Sequence, residues 1–371
     1  MSSYCQLEPY SPPEWASHLA VVPKSRIHLA MAPTPVHRWH LPHLPSPFSV
    51  WVKRDDLTGC STSGNKLRKA EFILADAIEK GSDCIVTFGG IHSNHARTMA
   101  LAAREVGLDS TLFIMTESPK VHPIDQVGCR GNMMLCRLSG ATVVACPREE
   151  GKPHIEDVLR ISALMEGHLD KMRLRGRKPY FIPVGGTCPL GEWGYIHAWE
   201  ELRGQRALDN IDDVIVTIGS GGTACALAVA NYLTGSRVKV HAVTIINTPA
   251  DDLYNVIGQR IEELGVRGVE PRDLIDLIDG YHLGGHGCVN KELKELVISV
   301  ASETGVILDT LYTGKTMLGM LSEMKVNPHR FRGNRILFIN TGGMFNAFSG
   351  IVDDVIKTTP SSSRINGYSE S

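Results

Sequence analysis

Short apolar segments recur along most of this chain, and several are followed by a glycine-rich turn and then by a helical pattern. Four of the glycine-rich stretches are FGGIHSNH, PVGGT, IGSGGTACAL and NTGGMFNAF. Short apolar strands separated by helices are typical of parallel sheets, because helices cover both faces of such a sheet. The pattern therefore predicts an α/β protein with two open, twisted parallel sheets and flanking helices.

The order of these segments divides the chain into two units. The predicted strands are residues 50–54, 84–88, 111–115, 142–146, 180–184, 214–218, 238–246 and 335–340. We predict a larger domain formed by 1–65 plus 178–371 and a smaller α/β domain, 66–177, inserted into it. The proline-rich first forty residues are expected to wrap a surface, and the polar tail 358–371 is expected to be disordered.

Composition excludes several classes of function. The formal net charge of -2 gives no electrostatic reason to expect nucleic acid as a partner. No apolar run approaches the roughly 20 residues of a membrane helix, and the amino-terminal residues lack the pattern of a secretory or transit peptide. The nine cysteines are scattered without a C-x-x-C pair, which indicates reduced thiols and no metal site. We therefore expect a cytoplasmic protein.

Lys66, in the stretch STSGNKLRK, stands at the start of a predicted helix. The helix dipole is positive there and disfavours a cation. One interpretation is a surface lysine. The other is a poorly protonated amine beside an anion, which could attack an aldehyde. Lys69, one turn on, would face the same anion or water.

The stretch 219–223, consisting of Gly219, Ser220, Gly221, Gly222 and Thr223, lies between a predicted strand and a predicted helix. Bare backbone N–H groups at a helix amino end favour a phosphate, although a tight turn without a ligand is the alternative. A phosphate loop and a reactive lysine together match the needs of pyridoxal 5'-phosphate, an aldehyde that carries a phosphate.

Ser93, Asn94 and His95 follow another predicted strand. Ser93 is expected to cap the next helix, and this could be its whole role. Its hydroxyl, the Asn94 amide and the exposed first-turn amides also suit a carboxylate ligand. His95 alone is expected to be structural rather than catalytic, and we group it with the substrate-binding residues of the same turn.

Seven motifs occur in a fixed order between about residues 52 and 348: KRDDLTG, SGNKLRKAEF, IHSNHARTMA, PVGGTCPLG, GSGGT, LYTGKTM and NTGG. This order resembles the pyridoxal-phosphate enzymes of the D-cysteine desulfhydrase and 1-aminocyclopropane-1-carboxylate (ACC) deaminase family. The resemblance implies the tryptophan synthase beta-like fold, or fold type II, with the cofactor in the cleft between the two domains. It also implies that the larger domain binds the cofactor and that the protein is a homodimer.

The resemblance also implies roles for matching residues. Lys66 would form the covalent bond to the cofactor, Ser93 would lie near the substrate's carboxylate and reacting carbon, and Tyr312 would be the active-site tyrosine. The other cofactor-binding residues would be Asn94 at the phenolic oxygen, 219–223 with Lys69 at the phosphate, and Thr341 at the pyridine nitrogen.

Departures from the family pattern bear on the substrate. ACC deaminases usually carry glutamate and leucine where this chain has Thr313 and Thr341, which points away from ring opening of ACC. His92 and His286 replace the glutamine and tyrosine that are usual in desulfhydrases, and both would border the substrate. They indicate either that the substrate has an anionic side chain, or that these two positions have drifted within the family without a change of substrate.

These residues predict a lyase that carries out α,β-elimination on a small amino acid. D-cysteine, giving pyruvate, sulfide and ammonia, is the first candidate substrate. The alternatives are an ACC deaminase, an L-cysteate sulfo-lyase and a D-serine dehydratase or racemase. A protein of another class, which binds pyridoxal phosphate without efficient catalysis, also stays open.

Overall fold

The computed structural model describes residues 4–117, 123–149 and 154–358. The strands in these residues are β1 (Leu7–Pro9), β2 (Ser25–Ile27), β3 (Val36–Trp39), β4 (Ser49–Arg54), β5 (Cys84–Gly90), β6 (Asp109–Thr116), β7 (Thr142–Pro147), β8 (Pro179–Ile182), β9 (Asp213–Ile218), β10 (Lys239–Thr244), β11 (Asp276–Ile278) and β12 (Arg335–Asn340). The α-helices are α1 (Asn65–Glu79), α2 (Asn94–Glu105), α3 (Pro123–Val127), α4 (Gly131–Leu138), α5 (His154–Leu174), α6 (Pro189–Gly204), α7 (Gly222–Leu233), α8 (Ala250–Glu263), α9 (Pro271–Leu274), α10 (Lys291–Thr304), α11 (Thr313–Val326) and α12 (Asp353–Ile356).

The larger sheet has six strands in the order β11-β10-β9-β12-β4-β3. Five are parallel, and β3 pairs antiparallel with β4, with Val36 opposite Lys53. The residues of β3 are not among the predicted strands. The segment 40–48 between β3 and β4 is shorter than the roughly dozen residues of a parallel crossover, which explains the antiparallel edge.

Strand β9 shows why these strands are apolar throughout. Val214 and Val216 pack on one face of the sheet with side chains of α6, α7 and α8. Ile215 packs on the other face with side chains of α10 and α11. Because successive side chains point to opposite faces, a sheet covered on both sides needs apolar residues at every position.

The smaller sheet has four parallel strands in the order β7-β6-β5-β8. Phe113 of β6 packs with Ile161 and Met165 of α5 on one face. Leu112 packs with Ala96 of α2 and with α4 on the other. Both sheets therefore have the helix-covered parallel architecture that the sequence predicts, and the predicted fold class is confirmed.

Some expectations have other outcomes. The first forty residues are not wholly irregular, because β1 and β2 pair antiparallel, with Leu7 opposite Ile27, and β3 joins the larger sheet. The domain boundaries stay a prediction; the smaller sheet takes its fourth strand, β8, from just beyond residue 177. Most of the polar tail, 359–371, lies outside the described residues. Across 4–117, 123–149 and 154–358, no helix is long and apolar enough to cross a membrane.

Candidate active site

Lys66 lies in the first turn of α1, next to the loop that follows β8. Its Nζ donates a hydrogen bond to the carbonyl oxygen of Gly185, 3.1 Å away. Part of the side chain is accessible, yet the protein around the ammonium group and the positive charge of Lys69 lower the pKa of Lys66 well below its usual value. The helix dipole acts in the same direction. The amine is therefore readily deprotonated, as a nucleophile must be.

Lys69 is fully buried one turn further along α1. Burial lowers the pKa of its amine, and the negative charge of Glu192 partly offsets this. A Cβ atom added to Gly222, the first residue of α7, would lie 2.7 Å from the Lys69 Nζ. The amine therefore touches the amino end of α7, where free backbone N–H groups and the helix dipole favour an anion.

The loops after β8 and β9 are in direct contact. Gly185 has a φ of +70°, and an added Cβ would lie 2.5 Å from the Ser220 Oγ. The hydroxyl groups of Thr187 and Ser220 are 2.7 Å apart. Gly221, with a φ of +91°, precedes α7. The predicted phosphate loop, 219–223, therefore lies beside the carbonyl oxygen that accepts from Lys66.

Asn65 ties the start of α1 to two further predicted residues. Its backbone N–H donates to the carbonyl oxygen of Thr341, at 3.0 Å. Its side-chain Nδ2 donates to the Thr223 Oγ1, at 3.1 Å. Thr223 and Thr341 are both buried. The loops after β9 and β12 thus meet at the amino end of the helix that carries Lys66.

Ser93 caps α2, as its position in the sequence predicts. The backbone N–H of Ala96 donates to the Ser93 Oγ, at 3.0 Å. The cap uses the hydroxyl as an acceptor, so its hydrogen is available to another group. Asn94 is buried beside it, and its Oδ1 accepts a hydrogen bond from the Asn132 Nδ2, at 2.9 Å. The Asn94 Nδ2 is therefore the part of that amide left to donate.

A buried polar chain, formed by side chains that are not among the predicted site residues, joins the α2 side of the site to Tyr312. The Asn132 Nδ2 lies 3.0 Å from the Asn346 Oδ1, and the Asn346 Nδ2 donates to the Asp309 Oδ2, at 3.0 Å. The Asp309 Oδ1 accepts from the backbone N–H of Tyr312, at 3.1 Å. Asn132 stands in no motif, and Asn346 lies in the glycine-rich stretch NTGGMFNAF, where only Thr341 is a predicted site residue. Asp309, three residues before the predicted tyrosine, offered a signal.

His286 packs against Tyr312, with ring centroids 4.9 Å apart in an edge-to-face arrangement. Burial and the nearby Asp309 raise the pKa of the Tyr312 hydroxyl, which therefore keeps its proton. His92 lies directly before Ser93, and its carbonyl oxygen accepts from the Asn132 Nδ2, at 2.9 Å. Burial lowers the pKa of the His92 ring, although Glu117 partly offsets this effect.

His95 lies in the first turn of α2 and is buried, with 2% of its surface exposed. Its Nε2 lies 2.8 Å from the Thr87 Oγ1 of β5. Burial, with the positive charges of Lys66 and Lys69, lowers the pKa of His95 well below its usual value. Thr87 was not among the predicted site residues.

These features fit a ligand that is both an anion and an aldehyde. Within the described part of the chain, neither Lys66 nor Lys69 forms an ion pair with a carboxylate. Burying an amine is costly when no carboxylate lies within ion-pair distance, and a phosphate at the amino end of α7 would relieve that cost. The described residues hold no group of three or more His, Cys, Asp or Glu side chains arranged for a metal ion. The fold and the site together define an enzyme that holds pyridoxal 5'-phosphate.

Comparison with known families agrees with this class. The family described as pyridoxal-phosphate dependent enzyme matches residues 27–342. The chain belongs to this family, and its cofactor is pyridoxal phosphate.

Individual relatives cover almost the whole chain. A protein of Arabidopsis thaliana named bifunctional D-cysteine desulfhydrase/1-aminocyclopropane-1-carboxylate deaminase, mitochondrial, is 39% identical over 355 residues, covering 95% of this chain and 86% of the relative. The D-cysteine desulfhydrase of Salmonella choleraesuis (strain SC-B67) is 33% identical over 330 residues, covering 88% of this chain and 95% of the relative. These relatives confirm the predicted resemblance.

Solved structures give the same result for the fold. A crystal structure described as an ACC deaminase homologue superposes with a TM-score of 0.77 at 31% identity, covering 94% of this chain and 100% of that chain. O-ureido-L-serine synthase superposes with a TM-score of 0.61 at 18% identity, covering 89% of this chain and 95% of that chain, and this likeness concerns the fold alone.

Proposed function

We propose that this protein is a pyridoxal-phosphate dependent lyase that removes the β substituent of a small amino acid. Its proposed substrate is D-cysteine, which together with water gives pyruvate, sulfide and ammonia. The proposal depends on the positions of two amines whose pKa values are lowered. The Lys66 amine lies beside Gly185, and the Lys69 amine lies at the amino end of α7. The names of the Arabidopsis and Salmonella relatives support the choice of D-cysteine.

The residues that hold the cofactor follow from this placing. Lys66 would bind its aldehyde carbon, and Lys69 with 219–223 would bind its phosphate. The Asn94 Nδ2, free to donate because its Oδ1 already accepts from Asn132, would donate to the phenolic oxygen. Thr341 would offer a neutral hydroxyl to the ring nitrogen. When bound, the cofactor withdraws electron density from the substrate's α carbon and so acidifies the proton there.

Proton transfer is assigned to two side chains of this protein. The amino group of the substrate would displace Lys66 from the cofactor, and the freed Lys66 Nζ, whose lowered pKa leaves it an electron pair, would take the proton from the substrate's α carbon. The Tyr312 hydroxyl keeps its proton because its pKa is raised, so it serves as a donor to the departing sulfur. The hydroxyl hydrogen of Ser93, left free by the cap, donates to the substrate's carboxylate.

The choice between elimination and ring opening rests on Thr313 and Thr341. The Thr313 Oγ1 donates a hydrogen bond to the Asp309 Oδ1, 3.0 Å away. The Thr313 hydroxyl therefore stabilises the turn at the start of α11. It is not the acidic group that the resembled ACC deaminases carry at this position. These two residues support elimination from D-cysteine over ring opening of ACC.

One observation favours a second substrate. The edge-to-face packing of His286 on Tyr312 places an imidazole beside the proposed sulfur-facing hydroxyl. An imidazole there suits an anionic side chain, such as the sulfonate of L-cysteate. His286→Tyr, which restores the residue usual in the resembled desulfhydrases, would then lower activity on L-cysteate relative to D-cysteine.

The direct test uses the cofactor-loaded protein with a substrate panel. D-cysteine is expected to release sulfide and pyruvate in equal amounts, faster than ACC, D-serine or L-cysteate gives its keto acid. Lys66→Arg is expected to abolish release because guanidinium cannot take the α proton. Lys171→Arg, which changes an exposed lysine, is the matched control and should keep full activity.

The panel separates the alternatives. Faster turnover of L-cysteate would assign the sulfo-lyase activity, and faster turnover of ACC would assign the deaminase. Cofactor absorbance without turnover of any amino acid would contradict the lyase and indicate a cofactor-binding protein.

Assembly, domain division and location belong to the same proposal. We place the protein in the cytoplasm as a homodimer, with a larger cofactor-binding domain of 1–65 plus 178–371 and an inserted domain of 66–177. The Arabidopsis relative, by contrast, is named as mitochondrial. Light scattering of the loaded protein tests the dimer, and a monomer mass would contradict it.

A further inference from the structure

Thr87 and His95 form a buried pair directly beneath the candidate site. Thr87 lies in β5 and is 0% exposed; His95 lies in the first turn of α2 and is 2% exposed. The Thr87 Oγ1 and the His95 Nε2 are 2.8 Å apart. The amino end of α2 also holds the predicted substrate residues, with Ser93 as its cap and Asn94 as its first residue.

The hydroxyl of Thr87 has only one hydrogen, and a second contact of the same oxygen shows which acceptor receives that hydrogen. The Thr87 Oγ1 lies 2.8 Å from the carbonyl oxygen of Ile182, at the end of β8. A carbonyl oxygen only accepts, so the threonine hydrogen points to Ile182. In its contact with His95 the same oxygen must therefore accept, and the proton on the His95 ring sits on Nε2.

The other ring nitrogen is left as an acceptor. His95 Nδ1 is buried and has no hydrogen-bond partner among the residues that the structure describes. A second proton on the ring is disfavoured, because burial and the charges of Lys66 and Lys69 lower the pKa of His95. A buried lone pair without a donor costs free energy, so the arrangement is incomplete without one.

We infer that Thr87 is a positioning residue that holds the neutral His95 ring with its Nδ1 lone pair free, and that Nδ1 accepts a hydrogen bond from an amine during the reaction. The amine belongs either to the incoming amino acid or to Lys66 once it is released. A carboxylate is excluded as the partner, because two acceptors repel each other. His95 thus complements Ser93, which donates to the carboxylate. This inference rests on the proposed function, since it assumes an amino-acid substrate.

The tautomer is measured first, by ¹⁵N NMR of histidine-labelled, cofactor-loaded protein without substrate. The chain has 15 histidines, so the His95 signals are assigned by comparison with His95→Gln. Wild type and Thr87→Ser, which keeps the hydroxyl, are expected to carry the proton on Nε2. Thr87→Val has the same shape without the hydroxyl, and it is expected to populate the form with the proton on Nδ1. Circular dichroism confirms folding of each variant.

The amine contact is measured by adding D-alanine, an amino acid without a β leaving group. The Nδ1 signal is expected to shift as it accepts a hydrogen bond. A shift that persists in Lys66→Ala assigns the amine of the added amino acid, and a shift that disappears assigns Lys66. In turnover, Thr87→Val is expected to lower kcat about tenfold, as the loss of one hydrogen bond would, and Thr87→Ser is expected to keep most of the wild-type rate.

Two results would overturn the inference while leaving the lyase intact. One is a wild-type His95 that is charged or carries its proton on Nδ1. The other is an Nδ1 signal that does not move with D-alanine in either protein. Absence of lyase activity would instead contradict the proposed function, and the tautomer of the resting protein would still be measured independently.

Discussion

A Cβ atom added to Gly185 would lie 2.5 Å from the Ser220 Oγ, so the loops after β8 and β9 leave no room between them for a side chain. Gly185 also has a positive φ of +70° and offers its carbonyl oxygen to Lys66. The contact therefore joins the proposed phosphate loop to the proposed reactive lysine.

Gly185→Ala is expected to weaken cofactor binding by about tenfold or more. The strained backbone alone costs roughly 1–2 kcal/mol, and Ser220 must move out of the phosphate loop. Fluorescence titration of the cofactor-free protein measures the dissociation constant. Gly204→Ala, at the end of α6 where an added Cβ meets nothing within 4 Å, is the control. Equal affinities for the two variants would show that the loop contact does not shape the cofactor site.

Lys69→Ala is expected to weaken pyridoxal-phosphate binding roughly 30-fold, the equivalent of about 2 kcal/mol for one charge-assisted hydrogen bond. The lysine lies at the amino end of α7, where the phosphate is proposed to bind. Lys171→Ala should bind the cofactor as wild type does. Pyridoxal, which lacks the phosphate, should bind Lys69→Ala and wild type alike, and an equal loss for both ligands would place Lys69 away from the phosphate.

Glu192→Gln is expected to change how stability depends on pH. Burial raises the pKa of Glu192 from 4.5 to about 7, and both carboxyl oxygens lack a partner among the described residues. Between these pH values the folded protein holds a proton that the unfolded chain has lost. The contribution of Glu192 to the free energy of unfolding therefore falls as pH rises through that range, by up to about 3 kcal/mol at about 1.4 kcal/mol per pH unit.

Glutamine has the same shape and does not ionise, so Glu192→Gln should remove this fall. Urea unfolding of cofactor-free protein at about pH 5 and about pH 8 measures it. Glu166→Gln, on the exposed side of α5, serves as the control and should keep the wild-type difference. An equal change in stability between the two pH values for wild type and Glu192→Gln would show that Glu192 is ionised throughout.

His241→Leu is expected to destabilise the larger sheet by about 3 kcal/mol. The His241 Nε2 lies 2.7 Å from Asp213 and its Nδ1 lies 2.8 Å from Asp276, so the substitution leaves two carboxylates short of a partner. Urea unfolding at constant pH measures the loss. Asp170→Ala breaks an exposed pair with Arg173 and should cost less than about 0.5 kcal/mol. A similar small cost for both variants would contradict a structural role of His241 between Asp213 and Asp276.

The sequence predicted the fold well where local pattern and burial agree. Strands such as β9 and β12 are apolar throughout because helices cover both faces, and their positions were predicted to within a residue. The edge strand β3 was missed. Its sequence VHRW is only partly buried, so it has neither an apolar run nor a clean alternation.

Candidate site residues that stand in sequence motifs could be predicted, and pairings between distant segments could not. Lys66, the loop 219–223 and Thr341 were expected together, and the structure brings them to the start of α1 through Asn65. The pairing of Asn132 with Asn346 could not be predicted in this way. Their role is a contact between segments 214 positions apart, which no local pattern records.

The identity of the lysine that binds the cofactor tests the proposed active site most directly. Lys66, Lys69 and Lys315 all have lowered pKa values, that of Lys315 to about 8, so any of them could react with an aldehyde. Borohydride reduction of the loaded protein makes the bond to the lysine permanent, and digestion with mass spectrometry locates it. We predict the modified peptide to carry the cofactor on Lys66. Modification of Lys69 or Lys315 instead, or of no lysine, would contradict the site described here.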